Sequence, residues 1–182
     1  MTSFTKYALK NIKKTGSVIP SSRFLARKIA LEIPHDAKTI IELGAGDGVI
    51  TQFLLKQMPQ SATLTAYEIS KQLLSHLEKI DHPNFVLRNA SALDIEQHFA
   101  AGSVDIIISC LPIALFPMQM KHELLQKVKN CLRAGGLFVQ YQYLPKDRSL
   151  ILRYFPQTTT KWSALNAPPA FIYIGKKTEF SE

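Results

Sequence analysis

Cysteine is scarce. The chain has two, Cys110 and Cys131, among 182 residues, which excludes a disulfide framework and makes a reducing compartment the simpler reading. Five histidines stand singly, without metal-ligand spacing among themselves or with the cysteines, so no metal site is expected. No apolar run reaches the ~20 residues of a membrane span; the richest, "IIISCLPIALFPM", is broken by Pro112 and Pro117. The N-terminus lacks the sustained apolar core and cleavage site of a secretory signal. Repeats, low-complexity tracts and long like-charge blocks are absent as well. What is left is a soluble or peripheral chain, 46% hydrophobic and 20% charged, long enough for one well-buried domain and short for two. Acids are outnumbered, 14 against 22 lysines and arginines, for a net charge of +8. That balance favours an anionic partner such as nucleic acid or an anionic membrane.

From Thr39 onward, short β-branched runs alternate with helical patterns. Strands are expected at "TIIEL", "ATLTAYEI", "NFVLR", "VDIIIS", "LFVQYQY" and "AFIYIGKK", and "VDIIIS" has the composition of a strand buried on both faces. Helices are expected over 49–58, 71–80, 93–99 and 118–132, the last stopped by Gly135 and Gly136. This rhythm predicts an α/β fold: a Rossmann-like, doubly wound, mainly parallel sheet with helices on both faces. It forms a single domain over 34–182, preceded by a basic helical segment over 1–33. Ligands of such sheets sit at the carboxyl ends of the strands.

The loop in "TIIELGAGDGVIT", residues 39 to 51, has the strand-before, helix-after context of a nucleotide site. Gly44 and Gly46 lack a Cβ, so the turn is tight and the backbone can approach a ligand. Glu68 ends the second strand, where an acid can accept hydrogen bonds from ribose hydroxyls. A dinucleotide loop wants G-x-G-x-x-G, but here the third glycine comes one position early. A pyrophosphate would also meet like charge at Glu42 and Asp47. S-adenosylmethionine carries no phosphate, and its ammonium and sulfonium are favoured by nearby carboxylates. The acids therefore point to that cofactor.

"ELGAGDG" together with Glu68 resembles the first motif and the ribose acid of the class I S-adenosylmethionine-dependent methyltransferases. That resemblance implies that Glu42 organises the methionine end, while Gly44, Ala45 and Gly46 pass close to the cofactor. It places Glu68 on the ribose and Ile69 beside the adenine. "RNAS" stands where the family has "GDA". Asn89 thus replaces an aspartate that contacts the adenine amino group, with Ala90 following, and its amide oxygen can still accept that bond. "SCLP", after the fourth strand, resembles the Asn/Asp/Ser-x-Pro-type loops of class I enzymes acting on nitrogen. Pro112 fixes one backbone angle and removes a donor. That leaves Ser109 and the carbonyls around Cys110 and Leu111 to hold an amine, with Ser109 also next to the cofactor. Tyr143 closes a strand that faces this site; an ordinary core aromatic is the other reading of it. Trp162, Asn166, Pro168 and Pro169 fall on the acceptor side without an assignable role.

Two families share this arrangement. The glycine loop resembles that of the rRNA adenine dimethyltransferases. The match is wider to the small soluble bacterial phosphatidylethanolamine N-methyltransferases. "KNIKKTGSVIPSS" resembles their basic N-terminal segment, "ISCLP" their "SGLP", "LRAGGLFVQYQY" their "GG-x-FVQFTY", and "NAPPAFIY" their late strand entry. An rRNA dimethyltransferase also appends a helical RNA-gripping domain, and few residues follow "AFIYIGKK". The wider resemblance implies methylation of the ethanolamine headgroup by a cytoplasmic enzyme at the inner face of the membrane. On a helix over 4–14, Phe4, Tyr7, Ala8, Leu9 and Ile12 share one side and Lys6, Lys10, Lys13 and Lys14 the other. Such a helix can lie on anionic lipid or pack on its own domain. The runner-up reading is a nucleic-acid adenine N-methyltransferase, and a third is a basic binding module without activity.

Overall fold

In the computed structural model, which describes residues 22–143, 145–163 and 169–178, the β-branched runs pair into one sheet. Its strands are β1 (Thr39–Leu43), β2 (Thr63–Tyr67), β3 (Phe85–Arg88), β4 (Val104–Ser109), β5 (Leu132–Gln142), β6 (Gln157–Ser163) and β7 (Ala170–Lys176). They lie in the order β3-β2-β1-β4-β5-β7-β6. The pairs from β3 across to β5 are parallel, while β7 runs antiparallel to both β5 and β6. The expected doubly wound, mainly parallel α/β fold is therefore the one observed. Winding proceeds outward in both directions from the β1–β4 pair, which makes the gap above these two strands the switch point where ligands bind. The expectation for the helix over 4–14, and those for Asn166 and Pro168, lie outside the described residues.

The helices are α1 (Arg23–Ala30), α2 (Val49–Gln57), α3 (Lys71–Leu77), α4 (Ile95–His98), α5 (Met118–Cys131) and α6 (Arg148–Tyr154). α1 starts at Ser22, whose hydroxyl accepts the Leu25 N–H at 3.2 Å, a standard N-cap. Its buried stripe of Leu25, Ala26, Ile29 and Ala30 joins α2 on one sheet face, against Ile40, Ile106, Ile108 and Val139. α4, α5 and α6 cover the other face, against Ile41, Leu43, Ile107 and Phe138. The central strand β4 supplies consecutive isoleucines to both cores, as its composition predicts.

Three details differ from the sequence expectation. α5 ends at Cys131 and the chain turns directly into β5, so Gly135 and Gly136 lie inside a strand and do not stop the helix. There Gly135 has φ +74°, and a Cβ on Gly136 would stand 2.9 Å from the Arg133 carbonyl oxygen and 3.1 Å from that of Asp105. The two glycines let β5 pass close to β4 where their register shifts between Val104 and Ile106. The other differences are two elements without a sequence expectation, α6 and the largely exposed edge strand β6.

Candidate active site

β1 ends in Glu42 and Leu43, and the chain then turns through three left-handed glycines: Gly44 at φ +76°, Gly46 at +61° and Gly48 at +83°. Both Gly44 N–H and Ala45 N–H donate to the Tyr67 carbonyl, at 2.9 and 3.1 Å, which ties the loop to the end of β2. Glu68, the next residue, is nearly buried. One of its carboxylate oxygens takes the Gly46 N–H at 2.9 Å. The other takes the N–H groups of Ile69 and Ser70 at 2.8 and 2.7 Å. Glu68 thus braces the glycine loop against the turn after β2. Asn89, at the end of β3, donates its side-chain N–H to the Glu68 carbonyl at 2.9 Å. Ile69 and Ala90 are half-buried beside it, against the core of the α5 face.

Glu42 is fully buried. The Thr51 hydroxyl of α2 donates to one of its oxygens at 2.7 Å, and the Cys110 thiol donates to the other at 3.8 Å. Desolvation pushes its pKa up to about 8, against which these two hydrogen bonds act, while Glu68 and Asp47 add further like charge. Burial and the same acids raise the Cys110 thiol as well, so that it stays protonated. Sequence reasoning missed both Thr51 and Cys110 as partners of Glu42. A hydroxyl on the third residue of the helix after the third glycine was the available signal for Thr51.

The acceptor side lies across the switch point. A Cβ on Gly44 would come within 2.7 Å of Leu111 Cδ2, so the loop after β4 rests on the glycine loop and the glycine makes the contact possible. Ser109 is fully buried at the end of β4, and its hydroxyl has no hydrogen-bond partner among the described residues. The Leu111 carbonyl accepts from the Ile113 N–H at 2.8 Å and from the Gln140 side chain at 3.0 Å. Pro112 is exposed and its carbonyl accepts the Leu115 N–H at 2.9 Å. Tyr143 is half-buried just past β5, edge-on to Tyr141 with ring centroids 6.0 Å apart. Like Cys110, it packs against the core on the Glu42 side of the sheet. Trp162 ends β6 at the same sheet edge and is 58% exposed. Pro169 is exposed beside it.

A continuous set of contacts therefore joins Asn89, Glu68, Gly46, Gly44, Leu111 and Gln140. A Cβ on Gly46 would meet nothing within 4 Å, so open space adjoins the loop beside Glu68. Glu68 borders that space, and Asn89 is tied to Glu68. These acceptors fit S-adenosylmethionine, in which Glu42 would meet positive charge, Glu68 hydroxyls and Asn89 an amino group. They do not fit a pyrophosphate.

Residues 40–136 match the family described as methyltransferase domain. The chain belongs to that family. It is an S-adenosylmethionine-dependent methyltransferase. It is similar to an ornithine lipid N-methyltransferase from Singulisphaera acidiphila, 28% identical over 174 residues that make up 91% of each chain. It is also similar to ribosomal RNA small subunit methyltransferase A from Mycoplasma mobile, 35% identical over 104 residues. That second match covers 56% of this chain and 39% of the relative, so this chain spans well under half of it. Among solved structures, a SAM dependent methyltransferase from Aquifex aeolicus superposes with a TM-score of 0.65 at 15% identity, over 93% of this chain and 98% of that one.

Proposed function

We propose that this methyltransferase transfers a methyl group to the primary amine of a phospholipid headgroup, that of phosphatidylethanolamine, at an anionic membrane surface. The observation that carries this reading is the extent of the likeness to the lipid N-methyltransferase. It runs through 91% of both chains, whereas the three rRNA relatives share 39%, 37% and 59% of their own length with this chain, the last of them through 91% of this chain at 29% identity. An ornithine lipid likewise presents a headgroup amine.

Surface chemistry supports the reading. Two large apolar side chains, Met118 and Trp162, are 57% and 58% exposed at the carboxyl edge of the sheet. Lys146 and Arg148 are exposed as well, on a turn that touches the loop after β4 and on a helix that touches β6. Apolar side chains flanked by cations suit a headgroup layer. None of the described helices is long and apolar enough to cross a membrane; the contact proposed is a peripheral one, at the inner face.

The cofactor supplies a sulfonium methyl: the amine nitrogen forms the new N–C bond as the S–C bond breaks, leaving a thioether, and the amine proton passes to solvent. This chain's residues bind and orient. Glu42 and Glu68 would hold the cofactor's charge and ribose, and Ser109 would offer a buried oxygen to an amine N–H. Leu111 keeps the acceptor loop against Gly44, and much of the catalysis is positioning.

The reading predicts faster turnover on vesicles of phosphatidylethanolamine with an anionic lipid than on soluble phosphoethanolamine at equal headgroup concentration. Replacing Met118 and Trp162 together by serine should lower the vesicle rate. Equal rates on vesicle and soluble headgroup would sink the membrane reading.

A further inference from the structure

Gln140 is fully buried on β5, in register with Ser109 of β4 on one side and Tyr173 of β7 on the other. Its Nε2 donates to the Leu111 carbonyl at 3.0 Å and to the Tyr141 carbonyl at 2.7 Å. Its Oε1 has no partner among the described residues. Exchanging the two amide atoms would set that oxygen against two carbonyl oxygens, so the side chain's orientation is dictated by what it holds.

Leu111 is gripped from three directions. Gln140 and the Ile113 N–H take both lone-pair directions of its carbonyl, while its side chain rests on Gly44. The residue that touches the cofactor loop is thus the residue Gln140 fixes. Packing alone would not choose a glutamine here. A methionine has nearly the same shape and would leave no buried oxygen without a donor.

We propose that Gln140 is the positioning residue of the acceptor loop: it pins Leu111 against Gly44 and so sets the acceptor amine's distance from the transferred methyl. This rests on the methyltransferase reading and is independent of which acceptor is used.

The test is Gln140→Met, which keeps the volume and removes both donors, read in two ways. In hydrogen exchange without any acceptor, the Ile113 amide exchanges at least about tenfold faster than in the wild type, while β1 and β4 keep their protection. In kinetics on whichever acceptor the wild type methylates, lipid or RNA, kcat falls at least about tenfold, because a misplacement of about 1 Å can cost on the order of 10²-fold. The Kd for S-adenosylmethionine stays within about twofold in the same variant, since the cofactor's own contacts are untouched. Unchanged exchange at Ile113 overturns the proposal. So does an unchanged kcat, or a loss confined to cofactor Kd. Should Gln140→Met fail to fold, Gln140→Asn, too short to span both carbonyls, is read in the same way. A wild type that methylates RNA and no lipid would end the phospholipid reading and leave the Gln140 result standing.

Discussion

Glu42→Gln isolates the electrostatics of the site. The wild-type carboxyl is wholly buried and its pKa stands at about 8 instead of its ordinary 4.5. The unfolded chain loses this proton near 4.5 and the folded chain near 8. Between those values the folded state holds a proton that the unfolded state has released, so the contribution to stability is fully present below 4.5 and is lost as the pH rises toward 8. The difference, 8 − 4.5 = 3.5, at about 1.36 kcal/mol per unit, caps the loss at about 5 kcal/mol. Glutamine keeps the shape and an acceptor for Thr51 but does not ionise. In urea denaturation without cofactor, the variant and wild type should lie within about 1 kcal/mol at pH 5, where the carboxyl is protonated in the folded state. At pH 8.5 the variant should be the more stable by about 2–5 kcal/mol. Cofactor binding should reverse the preference, since a cationic ligand favours the ionised carboxyl. Titration calorimetry at pH 7, in buffers of differing ionisation enthalpy, should show proton release by the wild type and less of it by the variant. A stability difference that does not change between pH 5 and pH 8.5 would refute the reasoning.

Gly46→Ala should leave the fold nearly intact, at about 1–2 kcal/mol for its left-handed backbone, while the Cβ projects into the space beside Glu68 and weakens cofactor binding at least about tenfold. Gly44→Ala adds the contact with Leu111 and should cost about 2–4 kcal/mol by thermal unfolding; equal stability of the two variants would argue against that contact. Lys121 on α5 and Asp147 form a buried pair at 2.6 Å, and Gln142 also donates to Asp147. Lys121→Met should remove the cation beside this buried carboxylate and cost about 3–5 kcal/mol in urea denaturation, with part recovered by adding Asp147→Asn.

The central half of the sheet was legible because its signals are local. "VDIIIS" is apolar on both sides, and β4 is buried on both. The glycine loop sits between a strand and a helix, and Glu42 and Glu68 stand where the strands end. β6 was not legible: "QTTTKWS" has no apolar alternation, and it is a strand because β7 offers an edge to pair with. Gly135 and Gly136 look like a helix stop in sequence, yet they serve the close passage of β5 along β4. The grip of Gln140 on Leu111 spans 29 positions, and the Lys121–Asp147 pair 26. Contacts of that range depend on strand register and helix placement, which composition does not encode.

The proposed acceptor of the methyl group is a lipid amine. Methyl-labelled S-adenosylmethionine, phosphatidylethanolamine vesicles containing anionic lipid, and total RNA should be offered to the purified protein in one reaction. The product is then split into organic and aqueous phases. Label is expected in the extracted lipid, resolved as methylated headgroup; label confined to RNA would make a nucleic acid the acceptor and end the phospholipid reading.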